Sequence, residues 1–276
     1  MTHPNLVNVR HVVAVAAGKG GVGKSTLTFN LALSLAASGA RVGVMDADLY
    51  GPSLRKMLPE EILPQQHPTI HERLIPGQSG GIKLISMAHF LQEGDPSSVR
   101  APIANGIIKQ FIHLVDWGHL DFLLIDFPPG TGDIQLTLIQ EGTLSGAVIV
   151  TTPQEIALLD VAKACAMFTH MQVPLIGLVE NMGYFTTAEG LVHYPFGKGG
   201  GEQFARDNGI FFLGRLPLDP EISSCCDRGR SIFLHAPLSP AAQALDLIAA
   251  SVREQLESFE KLSEGQLKNF DVVWQK

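Results

Sequence analysis

The chain has 276 residues, of which 45% are hydrophobic and 17% are charged, and its 20 basic and 27 acidic side chains give a net charge of −7. This composition excludes a disordered chain, and the acidic balance argues against a general nucleic-acid-binding or anionic-membrane surface. No uncharged apolar stretch of about 18 residues is present and the N-terminal segment lacks a signal-peptide pattern, so we expect neither a transmembrane helix nor secretion. The three cysteines are sparse and form no CxxC pair, which indicates a reducing, cytoplasmic location.

The predicted elements alternate between strands and helices. Short runs rich in β-branched residues predict strands at 11–17, 41–46, 122–127, 146–152 and 174–181, with a further strand around 210–214. The longer runs are apolar throughout, as strands covered on both faces are. Helical periodicity covers 24–38, 101–115, 134–144, 155–171 and 239–262. The order predicts an α/β fold, with a mostly parallel, doubly wound sheet and helices on both of its faces.

Two irregular segments interrupt this order. Residues 58–81 contain Pro59, Pro64, Pro68, Pro76 and paired glycines, so we expect a long surface loop there. A second irregular segment spans 182–201. Because neither segment is typical of a domain boundary, we expect one domain over 1–276, with a core of about 11–256 and a C-terminal tail at 263–276.

A glycine-rich motif follows the first predicted strand and opens the first helix. It reads Gly18-Lys19-Gly20-Gly21-Val22-Gly23-Lys24-Ser25-Thr26, which fits GxxxxGK[ST]. Glycines let successive backbone N–H groups point into one concavity, and the helix N-terminus adds positive potential, so the motif predicts a polyphosphate site. We expect Lys24 to reach the β- and γ-phosphates, Ser25 to ligate Mg²⁺, and Thr26 to bond the α-phosphate.

Carboxylates end two of the predicted strands. Asp46 and Asp48 follow the second strand and Asp126 ends the strand at 122–127. Ligands of open α/β sheets bind at the carboxyl ends of parallel strands, so these side chains are expected beside the phosphates. We expect Asp126 and Asp48 to complete the Mg²⁺ site with Ser25, Asp48 to align the attacking water as a catalytic residue, and Asp46 either to support the metal or to cap a helix.

The glycine-rich motif resembles the deviant Walker A loop of the MinD/ParA/nitrogenase-iron-protein class. Together with DADLYGPS at 46–53, IDFPPGTGD at 125–133, VENMGYF at 179–185 and LGRLPLDPEI at 213–222, it resembles the Mrp/ApbC iron–sulfur cluster carrier ATPases over about 11–256. The resemblance implies a homodimer that sandwiches ATP, with Lys19 and Lys24 both catalytic and Lys19 acting across the interface. It also implies adenine contacts from Asn181, Pro217 and Asp219, and partners that are apoprotein clients or iron–sulfur assembly proteins.

The sequence departs from this family at the cluster ligands. The family carries a CPxC pair that holds a [4Fe–4S] cluster at the dimer interface, and residues 184–194 contain no cysteine. Thr and Gly do not replace thiolates as soft iron ligands. Cys225 and Cys226 are either stand-in ligands or ordinary semi-buried thiols, and Cys165 is expected in the core.

The leading hypothesis is therefore a cytoplasmic, Mg²⁺-dependent ATPase with slow, switch-like turnover, similar to the iron–sulfur carriers. A cluster-free, ATP-dependent dimeric switch is the first alternative. The second is a MinD/ParA-type positioning ATPase on a membrane or DNA, which the acidic balance and the C-terminal segment disfavour, so we expect neither nucleic acid nor membrane as a partner.

Overall fold

A mostly parallel β-sheet forms the centre of the protein in the computed structural model, which describes residues 5–48, 51, 54–57, 61–90 and 101–268. In chain order the strands are β1 Val9–Ala17, β2 Val42–Asp46, β3 Glu61–Ile62, β4 Gln65–Gln66, β5 Leu74–Ile75, β6 Gly77–Ser79, β7 Ile82–Ser86, β8 Leu120–Asp126, β9 Gly146–Thr151, β10 Leu175–Thr186, β11 Val192–His193 and β12 Phe212–Pro217. The helices are α1 Lys24–Ala37, α2 Leu54–Met57, α3 Ala101–Leu114, α4 Asp133–Gly142, α5 Glu155–His170, α6 Gly200–Asp207, α7 Pro220–Asp227, α8 Ile232–His235 and α9 Pro240–Lys268.

The strand order brings the ends of distant strands together. The main sheet runs β11-β10-β9-β1-β8-β2-β7-β6-β3, with β12 pairing β10, and β4 pairs β5 separately. β1 lies between β8 and β9 and pairs with both in parallel. β2 pairs with β8 so that Asp46 lies opposite Asp126. The segments that follow β1, β2 and β8 therefore leave the sheet at one edge, where open α/β sheets bind ligands.

The strands are apolar because both faces of the sheet are covered. Along β1, Val13 and Val15 face one buried cluster, while Val12, Ala14 and Ala16 face the other, as the two-residue period of a strand requires. The first cluster includes side chains of α1, α7 and α9, and the second includes side chains of α3, α4 and α5. This arrangement confirms the predicted doubly wound α/β sheet, and the helices predicted at 24–38, 101–115, 134–144 and 155–171 lie within one to two residues of their expected ends.

The segment 58–81, predicted as a long loop, contains four short antiparallel strands, at 61–62, 65–66, 74–75 and 77–79, joined by irregular stretches. Residues 58–60 lie outside the described part of the chain. Gly80 and Gly81, with φ of 56° and 80°, turn β6 into β7. β7 then pairs in parallel with β2, although the sequence analysis assigned no strand to 82–86. Within this strand, the Lys83 ammonium group donates a hydrogen bond to the Trp117 carbonyl oxygen at 2.6 Å.

Two further boundaries differ from the predictions. β10 continues to Thr186 and pairs with β11, so the segment predicted as irregular from residue 182 begins as a hairpin. Helix α9 continues to Lys268, which makes residues 263–268 helical where a tail was expected, and residues 269–276 lie outside the described part. Among the described residues, none of the helices has the length and apolar content to cross a bilayer.

Candidate functional site: a phosphate-binding loop at the sheet edge

The glycine-rich loop between β1 and α1 is held by close packing. Gly21 and Gly23 have φ of 79° and 86°, a region that side chains with a Cβ adopt at a cost, and Gly23 is the N-cap of α1. A Cβ at Gly18 would collide with the backbone of Asp160 in α5, and a Cβ at Gly23 would collide with the amide of Asn181. The absence of a side chain at Gly18 and Gly23 therefore lets the loop pass between α5 and the end of β10.

Side chains from α1 and β8 converge beneath this loop. The Lys24 ammonium lies 2.8 Å from Asp126 Oδ1, and the Ser25 hydroxyl donates a hydrogen bond of 2.6 Å to Asp126 Oδ2. Thr28, one turn further along α1, donates to Asp126 Oδ1 at 2.9 Å. Lys24 is 7% exposed and Asp126 is fully buried, so solvent screens this ion pair weakly. The sequence predicted Lys24, Ser25 and Asp126, but not Thr28.

The oxygen atoms of Ser25 and Asp126 fit a Mg²⁺ site. Mg²⁺ prefers hard oxygen ligands and is usually held by one or two protein groups, with phosphate oxygens and waters filling its other positions. Across the part of the chain that the structure describes, no group of three or more His, Cys, Asp or Glu side chains could hold a metal by itself. A magnesium ion here would therefore depend on nucleotide phosphates for the rest of its shell.

The two carboxylates after β2 have different surroundings. Asp48 is 17% exposed, and its Oδ2 lies 3.8 Å from the Lys24 ammonium, so it faces the space in which the phosphates are expected. Asp46 is fully buried and accepts hydrogen bonds from the Ser86 hydroxyl at 2.9 Å and from the Asp48 backbone N–H at 3.2 Å. Burial, and then the charge of Asp126, raise the pKa of Asp46. Asp46 thus holds the turn that carries Asp48. Sequence reasoning missed Ser86 because it missed β7.

A cavity of about 170 Å³ lies beside the loop, at the expected position of the base. Its lining includes the expected residues Asn181, Pro217 and Asp219, together with Thr26 and Asn30 of α1. The Asn181 amide donates to the Val22 carbonyl oxygen at 2.8 Å, which joins the cavity to the loop. A larger groove of about 470 Å³ lies between α1 and α9, but it borders no part of the loop.

Asp219 has a structural role in this cavity wall. Its side chain caps the N-terminus of α7 by accepting a hydrogen bond from the Glu221 backbone N–H at 2.9 Å. Pro217 and Leu218 precede it at the end of β12, and the Leu218 N–H bonds the Tyr184 carbonyl oxygen at 2.6 Å. Residues 217–219 are therefore held both by β10 and by α7, and these contacts fix the cavity wall that they form.

Lys19 stands apart from the cluster around Lys24. Its side chain is partly exposed and makes no ion pair or hydrogen bond with the part of the chain that the structure describes. Among the described residues, Lys19 therefore differs from Lys24, whose ammonium group is paired with Asp126.

The structure places the cysteines in the core. Cys225 and Cys226 lie on α7, are each 6% exposed, and pack in the cluster that contains α1. The Cys226 sulfur accepts a weak hydrogen bond from the Asn30 amide at 3.9 Å, and burial raises the pKa of that thiol to about 11. Cys165 on α5 is 8% exposed, as expected for a core residue. The residues considered as stand-in cluster ligands are therefore buried thiols.

Comparisons with known proteins show which proteins this chain is similar to. The chain is 45% identical over 266 residues to an iron–sulfur cluster carrier protein of Deinococcus radiodurans, covering 95% of this chain and 74% of the relative. A nucleotide-binding protein from Archaeoglobus fulgidus in complex with ADP has 36% identity and a TM-score of 0.71, covering 87% of this chain and 93% of the other. The cell division ATPase MinD of Pyrococcus furiosus, at 22% identity and a TM-score of 0.64 over 89% of this chain and 99% of its own, shares the fold.

A family model also matches most of the chain. The model of the NUBPL iron-transfer P-loop NTPases, of ParA type, matches residues 8–253, which include the loop, the carboxylates and the base cavity. This chain therefore belongs to the ParA-type, NUBPL-like iron-transfer family of P-loop NTPases.

Proposed function

We propose that the chain is a Mg²⁺-dependent ATPase that works as a homodimeric switch in the assembly of iron–sulfur proteins. The observation that carries this proposal is the convergence of Lys24, Ser25 and Asp126 beneath a glycine loop that borders a base-sized cavity. The iron–sulfur role is carried over from the name of the Deinococcus relative. The cysteines are free, which suits the reducing conditions of a cytoplasm.

The chemistry follows from how these side chains can change partners. In this structure Lys24 and Ser25 both contact Asp126. A triphosphate in the loop offers Lys24 a stronger anionic partner, which releases Asp126 and the Ser25 oxygen for Mg²⁺. Ser25 and Asp126 would hold Mg²⁺, which would supply charge neutralisation for the phosphates. Asp48, which faces the same space, would align the water for in-line attack on the γ-phosphorus.

Lys19 would complete the site from the other subunit. Its lack of a partner within the described part of its own chain supports a role toward a second nucleotide. In a two-fold dimer each Lys19 would reach the γ-phosphate bound by its partner, so that hydrolysis and dimerisation depend on one another. Slow turnover then suits a switch, because the ATP-bound dimer must persist long enough to act on a client.

The ATPase assignment is tested by measuring phosphate release from ATP. Lys24→Ala should reduce turnover by about 100-fold or more, since it removes the principal cation at the transferred phosphate. Lys109→Ala is the matched control, because Lys109 is 53% exposed and pairs with Glu141 away from the loop. Retention of normal turnover by Lys24→Ala would refute the assignment.

The action of Lys19 across the interface is tested by mixing two inactive variants. In a mixed dimer of Lys19→Ala and Asp48→Ala, one site receives an intact Lys19 from its partner and keeps its own Asp48. Equal mixing should therefore restore about a quarter of wild-type turnover, because half of the dimers are mixed and each has one working site. If Lys19 acts within its own subunit, each site lacks one residue and the mixture stays inactive.

A further inference from the structure

The chain has three cysteines, and the structure describes all of them as buried. Cys165 is 8% exposed, and Cys225 and Cys226 are 6% exposed. Cys165 packs on one side of the sheet, and the other two pack on the opposite side. No pair of these thiols combines exposure with the spacing that bridging a cluster requires.

The chemical state of the thiols also differs from that of cluster ligands. Iron–sulfur clusters are held by thiolates, and a thiolate forms readily where a thiol is exposed or lies near positive charge. Burial raises the pKa of Cys165 and of Cys226 to about 11, and burial followed by the charge of Glu221 raises that of Cys225.

The described residues also offer no metal site that is complete within one subunit. Within the described residues no group of three or more His, Cys, Asp or Glu side chains is close enough to hold a metal. The cysteine pair that could ligate a cluster would therefore have to be exposed by unfolding α7 or α5 from the core. The free energy needed to unfold a core helix locally is a large fraction of the free energy of unfolding of the whole protein.

We infer, as a refinement that rests on the proposed function, that this chain ligates no iron–sulfur cluster with its own side chains. In this proposal the chain contributes ATP-dependent switching and no cluster ligands. A cluster that the switch helps to deliver takes its thiolates from another chain, such as the scaffold that built the cluster or the client that receives it.

One exposed turn offers a means to test this inference by gain of function. Between β10 and β11 the Gly190 N–H donates to the Thr187 carbonyl oxygen at 3.0 Å, which places the two residues at either end of a tight turn. A Cβ at Gly190 would meet nothing within 4 Å, although its φ of 83° makes a side chain there mildly strained. Cysteines at these positions would have the spacing of a CxxC pair, on a turn where Gly190 is exposed and Thr187 is half-buried.

The experiment is anaerobic incubation with ferrous iron and sulfide, followed by desalting and measurement of bound iron and visible absorbance. We expect no bound iron in wild type, and none in the Thr187→Ser/Gly190→Ser control, which has the same backbone strain without sulfur. The Thr187→Cys/Gly190→Cys variant should gain iron and colour. Wild type that retains iron, whether or not Cys225→Ser/Cys226→Ser removes it, would overturn the inference.

Thiol accessibility gives an independent measurement. Brief treatment with iodoacetamide should modify none of the three cysteines in the folded chain, with or without ATP and Mg²⁺, and all three after unfolding in guanidinium. Rapid modification of Cys225 and Cys226 in the folded chain would overturn the inference. Phosphate release from the same samples separates this result from the proposed function, because iron binding and ATP turnover are measured independently.

Discussion

The buried pair of Lys24 and Asp126 leads to a prediction about stability in the absence of nucleotide. Lys24→Met removes the ammonium group and keeps most of the side-chain volume, so the main change is electrostatic. Asp126 is fully buried and Lys24 is 7% exposed, so in the variant a carboxylate would remain in the interior without its cation. Lys24 also lowers the pKa of the buried Asp46 nearby, so its removal affects two acidic groups.

The size of the effect follows from the geometry. At 2.8 Å the gross attraction is about 6 kcal/mol for an effective dielectric constant of about 20, and removing one member of a buried pair typically costs about 3–5 kcal/mol. Ser25 and Thr28 still donate to Asp126, so we expect the lower end, about 3 kcal/mol. For a chain of 276 residues this lowers the melting temperature by about 5 °C.

The assay is denaturant unfolding of the nucleotide-free protein, with a double-mutant cycle. Lys24→Met and Asp126→Asn should each lower the free energy of unfolding. The double variant should lose about 2 kcal/mol less than the sum of the two single losses, because it leaves no unpaired charge. Lys109→Met, at an exposed pair, should change stability by less than about 1 kcal/mol. If Lys24→Met unfolds at the same denaturant midpoint as wild type, the pair does not contribute to the stability of the protein.

Gly23→Ala should weaken ATP binding by about tenfold or more, measured by calorimetry, because it adds strain at φ of 86° and a collision with the Asn181 amide. Gly106→Ala, in a helix where a Cβ meets nothing within 4 Å, is the matched control and should leave binding unchanged; equal effects would contradict the argument. Hydrogen bonds from Arg41 lower the pKa of Asp121 to about 2, so this carboxylate stabilises the fold above its unfolded pKa of about 3.9, and the contribution is lost as pH falls toward 2. Asp121→Asn should therefore lower stability by at most about 1 kcal/mol at pH 7, and the difference from wild type should shrink below about pH 4; a constant difference would disprove this origin.

The nucleotide loop could be predicted because its information is local. Nine consecutive residues supply the turn, the helix N-terminus, the ammonium group and the hydroxyl, so no long-range contact had to be inferred. The acidic residues at the ends of β2 and β8 were also predictable, since parallel strands end at a common edge. The departure from the usual cluster ligands was visible in the sequence for the same reason: the two cysteines are absent from a short segment.

Contacts between distant segments could not be predicted in this way. Thr28 is 98 residues from Asp126, and Ser86 is 40 residues from Asp46, yet both donate to the buried carboxylates. Hydrophobic periodicity indicates which face of an element is buried, but it does not specify the order of strands in the sheet. The sequence analysis assigned no strand to 82–86, so it did not place Ser86 beside Asp46.

The sequence by itself determined that this chain has a phosphate loop, two strand-end carboxylates and an α/β sheet, because these depend on neighbouring residues and on short periodicities. Only the tertiary structure decided which groups neutralise Asp126, how Asn181 joins the base cavity to the loop, and that Cys225 and Cys226 are withdrawn from solvent. The physical reason is that burial and pairing are properties of the packed sheet, which brings residues from distant parts of the chain within a few ångströms of each other.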